Sequence, residues 1–256
     1  MMSKSIRAVL PAIALGLGAA SACAAPVQFF DGTFNLANYS QLAYATDPSV
    51  TISASQITSG GNPGDALSVQ FSNSGGAVNL ISYQGFVNTS FSYDPSAQGA
   101  VTGIDFSSDR YVDFGSSLNP QLTTFSRPLL LQSGVYYLAP FADPQTRGAW
   151  FTSAITGLTA ADFSSFDFGT GTSNAALHPD FSASGAPIEL GLASRFALGT
   201  ALQPFRLSGQ FRFDNLAITV EPAATVPEPP TWALLGLALP VLLWRRRPRA
   251  ARPSAA

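Results

Sequence analysis

Phe211-Arg212-Phe213-Asp214-Asn215-Leu216-Ala217-Ile218-Thr219-Val220 is the stretch that decides the fold. Phe211 and Phe213 alternate with polar neighbours, the period of two that lines one face of a half-buried strand. Leu216, Ile218 and Val220 keep the alternation but switch parity. Both sets can face one core only if a residue is inserted, so the pattern predicts a β-bulge at Asp214-Asn215. The same alternation recurs at Val69 and Phe71, Phe91 and Tyr93, and Ile104 and Phe106. Breakers separate these runs at Gly60-Gly61-Asn62-Pro63-Gly64, Ser74-Gly75-Gly76, Asp94-Pro95, Asn119-Pro120 and Asp143-Pro144. Their spacing suits sandwich turns rather than helix–strand alternation. No stretch sustains a helical period, and Thr159 with Asp162 three residues later predicts one capped turn within Thr159–Ser164. All 19 phenylalanines fall between Phe29 and Phe213, enough to fill the space between two sheets. The expected fold is all-β, an antiparallel β-sandwich.

The charges narrow the function. Charged residues make up 11% of the chain, against about 25% in ordinary soluble proteins, which argues against a charged helical bundle. Lys4 and Arg7 lie at one end and Arg245, Arg246, Arg247, Arg249 and Arg252 at the other. Between Ala25 and Val226, six arginines face 14 acids, a formal charge of −8. An acidic body argues against nucleic acid as a partner, because phosphate neutralisation needs a basic face.

The N-terminus reads as an export signal. Lys4 and Arg7 precede an apolar run from Ala8 to Ala20, and Ala22-Cys23-Ala24 offers an A-x-A cleavage site that leaves Ala25 first. A lipoprotein reading would use Cys23, but Ala20 stands where a lipobox usually has leucine. Cleavage after Ala24 removes the chain's single cysteine, so disulfides, thiol nucleophiles and cysteine-bound metals are then excluded. The reading implies the Sec translocon and signal peptidase as partners.

The C-terminus carries a three-part signal: Val226-Pro227-Glu228-Pro229-Pro230, an almost wholly apolar run from Thr231 to Trp244, and Arg245-Arg246-Arg247. The prolines keep the first part extended and open to a processing enzyme. Trp232 to Trp244 would form a helix about 20 Å long against a hydrocarbon core of about 30 Å. Tryptophans at both ends, snorkelling arginines and local thinning would let it span, with the arginines in the cytoplasm. A buried core helix closed by a basic tail is the alternative. The expected organisation is a signal peptide at 1–24, a sandwich domain at 25–221, a Pro-rich linker at 222–230, a transmembrane helix at 231–244 and a basic cytoplasmic tail at 245–256.

This tail resembles the PEP-CTERM sorting signal of bacterial exported proteins. The resemblance implies that Val226, Pro227, Glu228 and Pro229 are recognised, and the chain cut nearby, by a membrane-embedded exosortase. It also implies transient anchoring in the inner membrane of a Gram-negative exopolysaccharide producer, then release to the envelope or matrix. The His178–Ile188 stretch resembles a segment common in the extracellular bodies of such proteins. Phe213–Ile218, Gly61-Asn62-Pro63-Gly64 and Phe30-Asp31-Gly32-Thr33-Phe34 are similar to segments of secreted carbohydrate-binding jelly rolls, which implies a jelly-roll-like body.

The residues point away from catalysis. His178 is the only histidine, no Gly-x-Ser-x-Gly elbow is present, and no phosphate-binding glycine pattern opens a helix. A glycosidase needs positioned acids, whereas the aspartates here cluster at turn signals and the body has only Glu189 and Glu221 as glutamates. Calcium suits the oxygen-rich loops better. Asp31 and Asp214 would approach each other if the first and last strands pair, and could hold a structural calcium; the alternative is a turn cap at Asp31 and a solvated bulge at Asp214. Asp105, Asp109 and Asp113 lack the glycine and closing glutamate of an EF-hand. Trp150, the body's only tryptophan, is the candidate sugar platform, with Phe151 on the opposite face of its strand. Three readings stay open: a module binding extracellular polysaccharide, a purely structural or adhesive surface protein, and an envelope glycan hydrolase.

Overall fold

A computed structural model describes residues 25–73, 80–113, 122–140, 148–198 and 207–224. The signal residues Ala22 and Ala24, the Val226–Pro229 motif, the apolar run and Arg245–Arg247 lie outside these residues, while Ala25 is exposed at the start. Among the described residues no helix is long and apolar enough to cross a membrane.

The body is a β-sandwich of two antiparallel sheets. One contains, in spatial order, β3 (Val50–Gly61), β4 (Gly64–Asn73), β13 (Leu207–Pro222), β6 (Val101–Asp113) and β9 (Trp150–Leu158), with β1 (Val27–Asp31) paired to β13. The other runs β11 (Thr172–Asn174), β10 (Ser164–Asp167), β8 (Val135–Leu138), β7 (Leu122–Gln132), β12 (Ile188–Leu198), β5 (Ile81–Tyr93) and β2 (Tyr39–Ala45). We call them the six-stranded and seven-stranded sheets.

The parity switch in β13 organises the first of these. Phe213 pairs with Arg110 of β6, the register shifts between Asp214 and Ala217, and Ile218 then pairs with Phe106. Asn215 takes a positive φ of 48° inside that bulge. Phe211, Phe213, Leu216, Ile218 and Val220 are all buried as a result. The other edge of β13 is divided at the same point: β4 pairs with Leu207–Phe213 and β1 with Leu216–Val220. First and last strands therefore do pair.

One apolar cluster joins the inner faces of both sheets. Phe71 of β4 and Phe211 of β13 meet Phe196 of β12, with ring centroids 4.2 Å apart for Phe71–Phe196 and 5.4 Å for Phe71–Phe211. Each fully buried phenylalanine contributes about 1.5–3 kcal/mol through removal of apolar surface from water. The interior also holds a polar stripe that phenylalanine content does not announce. Ser108 and Arg110 share the inward parity of Phe106 and Val112; Arg110 is fully buried with its guanidinium 4.8 Å from the Phe151 ring centre, and Ser108 reaches Ser126 of the opposite sheet at 3.4 Å.

The capped turn falls where the spacing placed it, as a 3-10 turn at Ala160–Asp162 linking β9 to β10. The Asp162 carboxylate accepts from Thr159 N–H and Oγ1, both at 2.8 Å. A second, α-helical turn at Pro95–Gln98, capped by Asp94, was not anticipated beyond its Asp-Pro breaker. A further small cluster covers the outer face of the seven-stranded sheet, where Phe166 and Phe168 pack over Val87, Leu129 and Ala193. Phe168 comes so close to Gly85 that a Cβ there would stand 2.8 Å from Cζ of its ring.

Candidate functional site

Two places gather the residues singled out by sequence: the outer face of the six-stranded sheet and the corner beside its bulge. On the outer face, the register sets Trp150 of β9 opposite Tyr111 of β6, and Tyr111 opposite Arg212 of β13. Their rings and charge form a row. The Trp150 and Tyr111 centroids are 5.7 Å apart, and the Arg212 guanidinium carbon lies 5.2 Å from the Tyr111 ring centre. Phe151 turns inward against the core while Trp150 stays half-buried on the outside. Arg212 also donates to Gln210 Oε1 at 3.0 Å. Beside Gln210 lies a groove of about 330 Å³ lined by the hydroxyls and amides of Thr51, Ser53, Gln70, Ser72 and Gln210 and by the Asp113 carboxylate. A ring beside hydroxyl, amide and carboxylate groups offers an apolar face with hydrogen-bonding neighbours to a small polar ligand. Tyr111 and Arg212 escaped the sequence reading because only strand register brings them to Trp150.

At the corner, Asp214 is completely buried. One of its oxygens accepts from Asn62 N–H, in the turn between β3 and β4, and the other from Asn215 N–H at 2.7 Å. Asp109 joins them: its Oδ2 accepts from Asn215 Nδ2 at 2.8 Å and Asn62 Nδ2 at 3.1 Å, and its Oδ1 from Thr152 Oγ1. The carbonyls of Gly64 and Asp65 and the Asp214 Oδ2 close so tightly on Gly61 that an added Cβ would lie 2.3–2.8 Å from all three. Burial pushes the Asp214 carboxyl above its ordinary value; its two N–H donors pull the other way, and the charges of Asp109 and Asp31 reinforce the rise.

Asp31 sits near enough for that charge to be felt, but its own oxygens are engaged. Thr33 N–H, Thr33 Oγ1 and Phe34 N–H all donate to Oδ1, and Tyr39 OH donates to Oδ2 at 2.7 Å. Burial raises its carboxyl, yet these donors outweigh it and hold the group below the usual range. The turn-cap alternative thus describes Asp31, whereas Asp214 occupies a buried bulge rather than a solvated one. For calcium the fit is poor: the carboxylates are hard oxygens, but those of Asp214, Asp109 and Asp31 already accept hydrogen bonds, and Asn62 and Asn215 aim N–H and amide donors into the corner. The count is limited: among the described residues no three His, Cys, Asp or Glu side chains gather as metal ligands. Asp214 and Asp31, the pair expected to hold the ion, each spend both oxygens on donors of the chain itself. The missed members, Asn62, Asn215 and Asp109, come from three separate stretches of chain.

His178 is exposed, and its Nδ1 lies 2.6 Å from the Phe163 carbonyl, tying down the loop before β12. From the end of β7, Gln132 brackets the same loop, accepting from Asp180 N–H at 2.7 Å and donating to the Asp180 and Ala186 carbonyls at 2.8 Å. The turn aspartates are similarly occupied. Hydrogen bonds from Ser49, Ser96, Thr159, Thr170 and Ser182 hold Asp47, Asp94, Asp162, Asp167 and Asp180 below their ordinary values.

No protein-family model matches the chain, and no curated protein does. Several solved structures are similar in part, two of them as follows. A structure of the infectious bursal disease virus Gx strain aligns at 11% identity and a TM-score of 0.33, over 84% of this chain and 37% of the viral one. The glycoside hydrolase domain of Endo-D from Streptococcus pneumoniae R6 aligns at 12% identity and a TM-score of 0.30, over 70% of this chain and 21% of that one. The chain thus spans well under half the length of either.

Proposed function

We propose that this chain is an exported surface or matrix protein, sorted through a PEP-CTERM signal at Val226, Pro227, Glu228 and Pro229, whose jelly-roll-like body binds extracellular polysaccharide without catalysing its turnover. The signal peptide is removed after Ala24, an exosortase-type peptidase acts at the tail, and Arg245–Arg247 hold the anchor on the cytoplasmic side until then. The observation that carries the binding half is the outward row of Trp150, Tyr111 and Arg212 beside a groove of hydroxyl, amide and carboxylate groups. The jelly-roll reading draws on the pairing of first with last strand and on a chain that passes repeatedly between the sheets. The non-enzymatic reading draws on the turn aspartates. A general acid needs a carboxyl raised toward neutrality; these are lowered by bonds within their own turns, and Asp214, which is raised, is sealed from any substrate by burial.

Two measurements test the proposal. Binding to a panel of neutral polysaccharides should be saturable for the full chain and lost in Trp150→Ala at unchanged melting temperature. Binding by neither protein leaves a purely structural or adhesive role, and equal binding by both removes Trp150 as the platform. Intact mass spectrometry in the native host should show a mature form lacking both ends, and Glu228→Ala should retain the tail. A wild-type mature form that keeps Arg245–Arg247 in the membrane defeats the sorting half.

A further inference from the structure

One flank of the sandwich exposes two strand edges at once. β3 ends the six-stranded sheet and β2 ends the seven-stranded one. Their inward residues meet around a mouth of about 120 Å³, lined by Gln41 and Ala43 of β2, Ile52 and Ala54 of β3, and Gln84 and Phe86 of β5. The two edges therefore lie side by side. Thr46 N–H donates to the Ile81 carbonyl at 2.9 Å, which fixes the phase of the β2–β5 ladder, so Gln41 and Ala43 turn their backbone N–H and C=O groups away from β5. β3 pairs with β4 along one side from Val50 to Ile57, and among the described residues no strand takes the other side. The crossover from β1 to β2 reaches β3 at Gln56, whose Nε2 donates to the Thr33 carbonyl at 2.7 Å, and leaves Val50–Ser55 open. The other sheet edges are blunted. β11 has three residues, β1 has five and closes on Asp31, and β9 carries a register shift opposite Ile104–Phe106 with Gly157 at a φ of 70°. Val50–Ser55 has no such device: no charge, no proline and no register shift. From Leu36 to Gly64 the only charged residue is Asp47, in a body of net charge −8. Gln84, at the mouth, is 2% exposed and its Oε1 has no donor, so an occupant of the flank has to bring N–H or O–H groups with it.

We propose that a second copy of this chain covers the flank, with β3 antiparallel to β3 of its partner about a twofold axis, so that the two six-stranded sheets become one. β3 suits itself as a partner. Val50, Ile52 and Ala54 face the core while Thr51, Ser53 and Ser55 face outward, and directly opposed residues of two antiparallel strands share a face. Apolar residues thus meet apolar ones, and hydroxyls meet hydroxyls. An acidic body repels its copy over most of its surface, and this uncharged flank is where the repulsion is weakest. The same axis sets β2 beside its counterpart, an isologous contact that brings strand edges with their N–H donors over Gln84. A purely apolar occupant would leave Gln84 Oε1 unpaired. Six residues of strand, about 20 Å long, make a small interface, so the dimer should dissociate on dilution. The contact needs no glycan.

Sedimentation velocity of the full chain in mild detergent, over a concentration series, tests the contact. Wild type should pass from monomer to dimer as concentration rises, and hydrogen exchange of the Val50–Ser55 amides should slow in step. With the twofold axis near the middle of that segment, Ser53 lies opposite or diagonal to its own counterpart. Ser53→Glu and Ser53→Lys should therefore each raise the dimer dissociation constant by about tenfold or more, at unchanged melting temperature, because like charges are set together. An equimolar mixture of the two should recover the dimer, an outcome that misfolding of either variant could not produce. A wild type that stays monomeric at every concentration overturns the proposal. Association that neither variant weakens also overturns it and places the contact elsewhere, the apolar Thr231–Trp244 run included. A mixture of two monomeric variants that recovers no dimer overturns it as well. Protection of Val50–Ser55 that is independent of concentration overturns it and assigns the edge to a segment of the chain itself.

Discussion

Replacing Asp214 by alanine tests the corner that ties the β3–β4 turn to the last strand. The carboxylate accepts from Asn62 N–H and Asn215 N–H, and no water reaches it, since Asp214 is wholly buried. Alanine would strand both donors. Each buried, unsatisfied N–H costs about 1–3 kcal/mol. Part of that is offset, because the same substitution removes a buried charge that Asp109 and Asp31 repel. The net loss should be about 2–4 kcal/mol, which for a body of this size lowers the melting temperature by roughly 5–15 °C. Urea unfolding followed by tryptophan fluorescence measures it, with Asp214→Asn as a second variant that keeps one acceptor. The raised carboxyl adds a pH signature. Its folded value lies above the unfolded 3.8, so the stability it contributes is complete below 3.8 and lost as pH rises through the folded value. Wild type should therefore lose ground to Asp214→Asn over that rise. A loss below about 0.5 kcal/mol in Asp214→Ala, within the range of a neutral surface change, would refute the view that this corner holds the turn to the strand.

Other outcomes follow from the same structure. Gly85→Ala should destabilise by about 1–3 kcal/mol in urea titration, because its Cβ would stand 2.8 Å from Phe168 and 3.0 Å from Leu129 in a packed cover; a neutral result would mean that Phe168 is free to move. Asp47, Asp94, Asp162, Asp167 and Asp180, lowered by hydrogen bonds within their turns, contribute stability present above 3.8 and lost as pH falls through their folded values. Acid unfolding should therefore set in below pH 4, and a melting temperature flat from pH 5 to pH 2 would contradict this. Calcium and a chelator should give wild type the same melting curve, because Asp214 and Asp31 already spend their oxygens on internal donors. A calcium-dependent rise in wild type that is absent from Asp214→Asn would show instead that a cation displaces those donors.

Much of the sandwich was legible in short stretches of chain. The parity switch after Phe213 demanded a bulge, and the register shift between Asp214 and Ala217 supplies it. Thr159 and Asp162 spelled out a cap that depends only on three-residue spacing. Arg110 is the instructive case in the other direction. Its parity with Ile104, Phe106 and Val112 points it inward, yet charge alone would have placed it at the surface; the strand alternation prevailed. Of the candidate pair, Asp31 reads as a cap from its own neighbours. Asp214 became a buried group only because the Asn62 turn closes over it.

The sequence by itself determined strand character, turn positions, the bulge and the pattern of the two termini, because each is a property of neighbouring residues and local backbone preference. Tertiary structure alone decided which strands are neighbours. Trp150 therefore meets Tyr111 and Arg212, and Asp109 joins Asn62 and Asn215. Those contacts link residues tens of positions apart through sheet register. Register is set by burying the whole apolar set of both sheets at once, and no single stretch of sequence contains that condition.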